Sequence, residues 1–212
     1  MISFFKSLSL AFLLIFVAST FSFAQKFSGS FFGGLSSSQV AGDQLSGFNK
    51  AGVIVGASVF LPVKNNLGFE MEIQFIQKGS RKPVDSESTD LSYYRMHLNY
   101  VEVPFLFHYS YSKRFQFNAG ISVGQLLSSK EEDEGGEIPE SQTLAFEKTE
   151  IAICGGMYYG FNEKFFLDLR LSNSILPIRK IGESKIQNIE SGQYNTVLSF
   201  TLKYRIGFDK AQ

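Results

Sequence analysis

Residues 194–208 read YNTVLSFTLKYRIGF. The even positions, Tyr194, Thr196, Leu198, Phe200, Leu202, Tyr204, Ile206 and Phe208, are bulky and nearly all apolar. The odd positions, Asn195, Val197, Ser199, Thr201, Lys203, Arg205 and Gly207, are mostly small or charged. Successive side chains of a strand point to opposite faces, so this is a strand with one apolar and one polar face. It is longer than an ordinary globular strand and has the dyad pattern of a strand that crosses a membrane.

The same alternation recurs upstream. Phe165, Leu167, Leu169 and Leu171 oppose Asp168, Arg170 and Ser172, and Ile151, Ile153, Met157 and Tyr159 oppose Ala152, Cys154 and Gly156. Phe115, Phe117, Ala119, Ile121 and Val123 oppose Gln116, Asn118, Gly120, Ser122 and Gly124, and Val101, Val103, Phe105 and Phe107 oppose Glu102, Leu106 and His108. Leu67, Phe69, Met71, Ile73 and Phe75 oppose Gly68, Glu70, Glu72, Gln74 and Lys78, and Val53, Val55, Ala57, Val59 and Leu61 oppose Ile54, Gly56, Ser58 and Phe60. A weaker alternation opens the series, with Phe27, Phe31 and Leu35 against Ser28, Ser30 and Gly34. The connections alternate long and short, with tight turns near Pro62, Ser110 and Phe161 and a long acidic loop from about Ser128 to Phe146. The expectation is all-β: an eight-stranded antiparallel up-and-down transmembrane β-barrel with short turns on the periplasmic side and long loops outside. Ten residues at about 3.3 Å, tilted near 45°, rise about 23 Å, matching the apolar band of an outer membrane.

Volume decides which face looks outward. A soluble lipocalin-like binding barrel would turn the apolar face inward, but the interior of eight strands is only just wide enough to be filled by side chains. The Gly, Ser, Ala and Asn face fits there and the Phe, Leu, Ile and Tyr face does not, so the apolar face meets lipid. The aromatics Tyr109, Tyr111, Phe115, Tyr159, Phe161, Phe165, Tyr204 and Phe208 fall at the short-turn ends, as an interfacial girdle would.

Inside, Glu70, Glu72, Glu102 and Asp168 are expected to meet Arg170, Lys203, Arg205 and Lys78 in a cross-lumen network that plugs the barrel, because unpaired buried charge is costly. Asp168 and Arg205 are expected at similar heights. A conducting ion pathway is the alternative reading of the same charges. Pro104 cannot donate to a ladder, and the apolar positions slip from even (Met96, Leu98, Tyr100) to odd (Val101 to Phe107) beside it. A bulge or kink is therefore expected between Asn99 and Pro104.

Tyr100-Val-Glu102-Val-Pro104-Phe-Leu, after Glu70 and Gln77-Lys78-Gly79, resembles the PorT-like family of outer-membrane β-barrels, as do Asn118-Ala-Gly120, Gly124, Gly155-Gly156 and Asp168-Leu-Arg170-Leu-Ser172. The resemblance covers most of the chain after residue 24. It implies a small Gram-negative outer-membrane barrel, and its name-giving member is tied to a protein-secretion machine. Porin-like transport and a secretion-associated role stay open beside a structural or interaction role. Asp209 to Gln212 follow Phe208, whereas many barrels end on an aromatic residue.

Residues 1–24 are of another kind: Lys6 in a short positive start, an apolar core from Leu8 to Val17, and Ser22-Phe23-Ala24 before Gln25. This reads as a signal peptide (1–24) ahead of one barrel domain (25–212), exported to the bacterial outer membrane. After residue 24 no apolar run is long enough for a membrane helix. Charge is balanced at 20 basic and 20 acidic residues, which gives no electrostatic case for nucleic acid. The single cysteine, Cys154, excludes an internal disulfide framework and reads as a small lumen-facing filler.

Only His97 and His108 are available for acid–base work, and neither has a nucleophile with an orienting carboxylate in the sequence pattern. No catalytic residue, cofactor or metal site is expected. The run Lys130-Glu-Glu-Asp-Glu-Gly-Gly-Glu137 lacks the ligand spacing of a calcium loop and reads as a solvated surface loop. The partners expected are outer-membrane lipid and, through surface loops or periplasmic turns, other envelope proteins; a monomer is expected.

Overall fold

The computed structural model describes residues 27–82, 92–181 and 192–206. The signal-peptide reading (1–24), Phe208 and the tail from Asp209 to Gln212 lie outside the described residues. Eight long strands make the fold: β1 (Ser28–Ala41), β2 (Lys50–Lys64), β3 (Leu67–Lys78), β4 (Tyr94–Ser110), β5 (Phe115–Asp133), β6 (Thr149–Gly160), β7 (Phe165–Ser174) and β8 (Gly192–Ile206). Each pairs antiparallel with its neighbours in the chain. β1 pairs β8 from Gly29↔Ile206 to Ala41↔Tyr194, which closes the ring. Closure satisfies the backbone hydrogen bonds that hydrocarbon could not. Residues 65–66, 111–114 and 161–164 form the tight connections, and the other four are longer.

The sorting of faces follows side-chain size and charge. On β8, Leu198 and Phe200 are 38 % and 52 % exposed, while Lys203 is fully buried beside Arg205; on β7, Asp168 is 2 % exposed. The inward-apolar alternative therefore does not describe this barrel. At the short-turn end, outward rings touch in pairs: Phe115 with Tyr159 (5.0 Å between centroids), Tyr159 with Phe161 (5.3 Å) and Phe165 with Tyr204 (5.1 Å).

β4 corrects one expectation. Its even residues point inward from Met96 to His108 without a change of face. Met96, Leu98 and Tyr100 are thus not lipid-facing. They join Val40, Ile54, Ile76, Val197 and Ile178 in an apolar cluster inside the barrel, toward the long-loop end. The slip in the sequence records a change in what fills the lumen, not a turn of the strand.

The register does shift within the expected interval, at Asn99/Tyr100, but the extra residue lies on the partner strand: Asn99↔Ser128 is followed by Tyr100↔Leu126, which leaves Leu127 of β5 unpaired. Pro104 itself pairs in register with Ser122. On its other side pairing passes from Met71↔Phe105 to Gln74↔Glu102 with register kept, so β3 accommodates the missing N–H without a bulge. Past Leu127, β5 stays paired with β4 as far as Asp133↔Tyr94. Four residues of the acidic run (130–133) are therefore strand, not loop, and Gly136–Glu137 folds back on them.

Candidate functional site

The lumen gathers the largest set of buried polar and charged groups among the described residues, and most arrive there by strand parity. Glu70, Glu72, Gln74 and, beyond Ile76, Lys78 are inward positions of β3; Tyr158 and Glu150 come from β6, Asp168 and Arg170 from β7, and Lys203 and Arg205 from β8. All are buried.

The first cluster lies toward the short-turn end. Arg170 reaches across to Glu72, Nη1 to Oε2 at 2.6 Å and Nη2 to Oε1 at 3.0 Å, and also holds Asp168 Oδ2 at 2.7 Å. Lys203 Nζ donates to Glu70 Oε1 (2.7 Å), Glu72 Oε1 (2.8 Å) and the Tyr158 hydroxyl (2.7 Å). Arg170 Nη2 also donates to that hydroxyl at 3.0 Å, so Tyr158 stands between the two cations and the carboxylates. His108 Nε2 lies 2.9 Å from Glu70 Oε2. Arg205 is placed differently from the expectation. Opposite Asp168 stands Thr201, and the Arg205 guanidinium lies over the rings of Phe166 (4.2 Å) and Phe60 (5.3 Å). Asp168 takes its cation from its own strand instead.

Glu102 belongs to a second cluster. Lys78 is shared between Glu102 and Glu150, the latter at 2.7 Å. Gln74 Nε2 donates to Glu102 (2.8 Å) and Asn195 Nδ2 to Glu150 (2.7 Å), so each carboxylate has an amide donor as well. The Lys78 ammonium lies 5.0 Å from the Tyr100 ring centroid, where this cluster meets the apolar one.

Above these, residues from the β7–β8 connection turn into the mouth. Ile178 is fully buried in the apolar cluster. Its neighbour Arg179 forms a bidentate pair with Glu131 of β5 and lies 3.7 Å over the Phe146 ring. Tyr94 donates to the same carboxylate.

The sequence put Asn195 on the inward face with Lys203, but Glu150, Tyr158 and Glu131 were not placed in the lumen. Two of these had a readable signal: Glu150 and Tyr158 share parity with Cys154 on β6. Glu131 had none, because Leu127 inverts the parity of β5 just before it. His108 is part of the first cluster. His97 points outward near the rim, with Lys50, Arg95, Glu132 and Lys130 as its charged surroundings. Cys154 is a buried free thiol on the inward face of β6. Among the described residues, no group of His, Cys, Asp and Glu side chains is arranged to hold a metal ion.

The chain matches the family model described as outer membrane protein beta-barrel domain over residues 23–179. No curated protein matches it. Among solved structures it is similar to Ail, the attachment invasion locus protein of Yersinia pestis, crystallised with the heparin analogue sucrose octasulfate. The TM-score is 0.50 at 15% identity, over 84% of this chain and 99% of that one. It is also similar to neisserial surface protein A (TM-score 0.45, 13% identity, 86% and 97% covered) and to OprG of Pseudomonas aeruginosa (0.42, 10%, 87% and 98%). At this identity the likeness to Ail speaks to the fold.

Proposed function

The chain belongs to the outer membrane protein beta-barrel domain family, and from that premise we propose that it is a closed barrel whose work is structural or interactive, carried by its surface loops and not by transport through its lumen. It sits in the outer membrane of a Gram-negative bacterium, with lipid against its apolar face. The observation that carries the closed reading is the reach of Arg170 and Lys203 to Glu72 across the lumen, backed by the second cluster and by Ile178 in the mouth. In an interior this narrow, side chains bonded wall to wall leave little room for a hydrated ion. The test is conductance of the reconstituted barrel in planar bilayers. Silence is expected; steady open currents would replace this reading with that of a small channel.

The finer family placement is PorT-like, on the strength of Glu102 and Pro104 in β4 and of Asp168 and Arg170 in β7. A secretion-associated role is the version of the interaction reading that this placement favours. Cross-linking from the long loops and from the short turns in intact cells separates the two, because a secretion partner would be captured from the turn side. The barrel is proposed to act as a monomer without catalysis, cofactor or nucleic acid. The mature chain is proposed to begin at Gln25, which N-terminal sequencing of the exported protein checks.

A further inference from the structure

We propose that the outward face of β4 and its neighbours, just above the lipid-facing band, binds the phosphate groups of the outer-leaflet glycolipid. Arg81 lies directly opposite Arg95, Arg95 opposite Glu132, and two residues lower His97 lies opposite Lys130. Directly opposed residues share a face of the sheet. Arg81, Arg95, His97 and Lys130 therefore point the way that Val101, Val103, Phe105 and Phe107 point lower on β4, which is toward lipid. The long-loop end of such barrels is the extracellular one, so the cations Arg81, Arg95 and Lys130 stand at the level of the outer-leaflet head groups, with His97 as a hydrogen-bonding neighbour.

Among the described residues, the cluster carries more positive charge than carboxylates answer. Like charges directly opposite each other are destabilising in a sheet, and Arg81↔Arg95 is such a pair. Buried Lys50 adds to it: its ammonium donates to the Ala51 carbonyl (2.9 Å) and lies within electrostatic reach of both arginines. Of the carboxylates described on this face, Glu132 is engaged by Lys130 at 3.2 Å and Glu137, directly opposite Glu132, at 3.0 Å. Arg95 Nε is buried with no hydrogen-bond partner among the described residues. On the other side of the barrel the row that caps the apolar band, Gln39, Thr196 and Asn173, is uncharged. A phosphate dianion held between two guanidinium forks would remove the repulsion, and arginine suits that geometry better than lysine does.

The test uses the full barrel, refolded in detergent and probed by native mass spectrometry with bisphosphorylated lipid A, dephosphorylated lipid A and inorganic phosphate. The wild type is expected to retain the bisphosphorylated lipid about tenfold better than the dephosphorylated one, the size of a charge-assisted pair. R81Q/R95Q should lose that preference, whereas K113Q/K164Q, in the short turns at the opposite end, should keep it. Folding is checked by the mobility of unheated protein in gels, and should the double variant not fold, R81Q alone reads the same preference. Equal retention of the two lipids by the wild type, or an intact preference in R81Q/R95Q, would overturn the site. Displacement of the bisphosphorylated lipid by equimolar inorganic phosphate would overturn its assignment to lipid in favour of a free anion.

Discussion

Arg170 and Glu72 stand on β7 and β3, four places apart around an eight-stranded ring, and still meet at 2.6 Å. Strands that distant are diametrically opposed, so the contact is a strut across the lumen. Both ends are buried, and removing one leaves an uncompensated charge. R170M is expected to cost about 3–5 kcal/mol, as such losses generally do. In E72Q/R170M the excess charge is reduced, so the double variant should be less destabilised than the two single losses added, by about 0.5–3 kcal/mol of coupling. Urea unfolding in lipid vesicles measures it; strict additivity would mean that the strut carries no energy of its own.

Two unlike barriers close the lumen, one ionic and one apolar. Y158A/R170A thins only the first, and bilayers containing it are expected to stay silent. Adding L98A and I178A removes bulk from the apolar cluster as well, and only this fourfold variant should conduct. Currents from Y158A/R170A alone would show that the apolar layer is no seal.

Gly79 leaves β3 with φ of 134°, and a Cβ there would come within 2.0 Å of the Met96 carbonyl oxygen. That carbonyl belongs to backbone and cannot swing aside. G79A should lower stability by about 1–3 kcal/mol or more, the scale of a forced backbone conformation. A lower urea midpoint with an unchanged folded gel mobility is the expected result.

Cys154 faces the lumen from β6, buried beside the ionic clusters. A maleimide added to the folded barrel should label it slowly from either side of the membrane, and urea should make labelling rapid. Fast labelling of folded protein would reveal an aqueous route that the side chains are expected to deny.

Most of the ring was readable because its rule is local: on β8, alternate residues differ so much in size and charge that parity alone assigns Lys203 and Arg205 to the interior. Reading failed where that rule was carried too far. Met96, Leu98 and Tyr100 share the inward parity of Glu102, but because they are apolar the strand was expected to slip there, whereas the outer part of the lumen takes them. The partition of charges was also hidden. Which carboxylate meets which cation depends on the tilt of strands around a closed ring, and that sets Glu102 with Lys78 and leaves Arg205 over Phe166, away from Asp168. The inversion at Leu127 was legible as an irregularity near Pro104 but not as a property of the partner strand.

The pairing of β1 with β8 has a consequence for how the molecule is made. These are the first and the last of the eight strands in chain order, so every partial ring has two unpaired edges in search of hydrogen bonds. Such a chain is a hazard in water and unsound in hydrocarbon, and it has to be chaperoned open until its final strand is at hand.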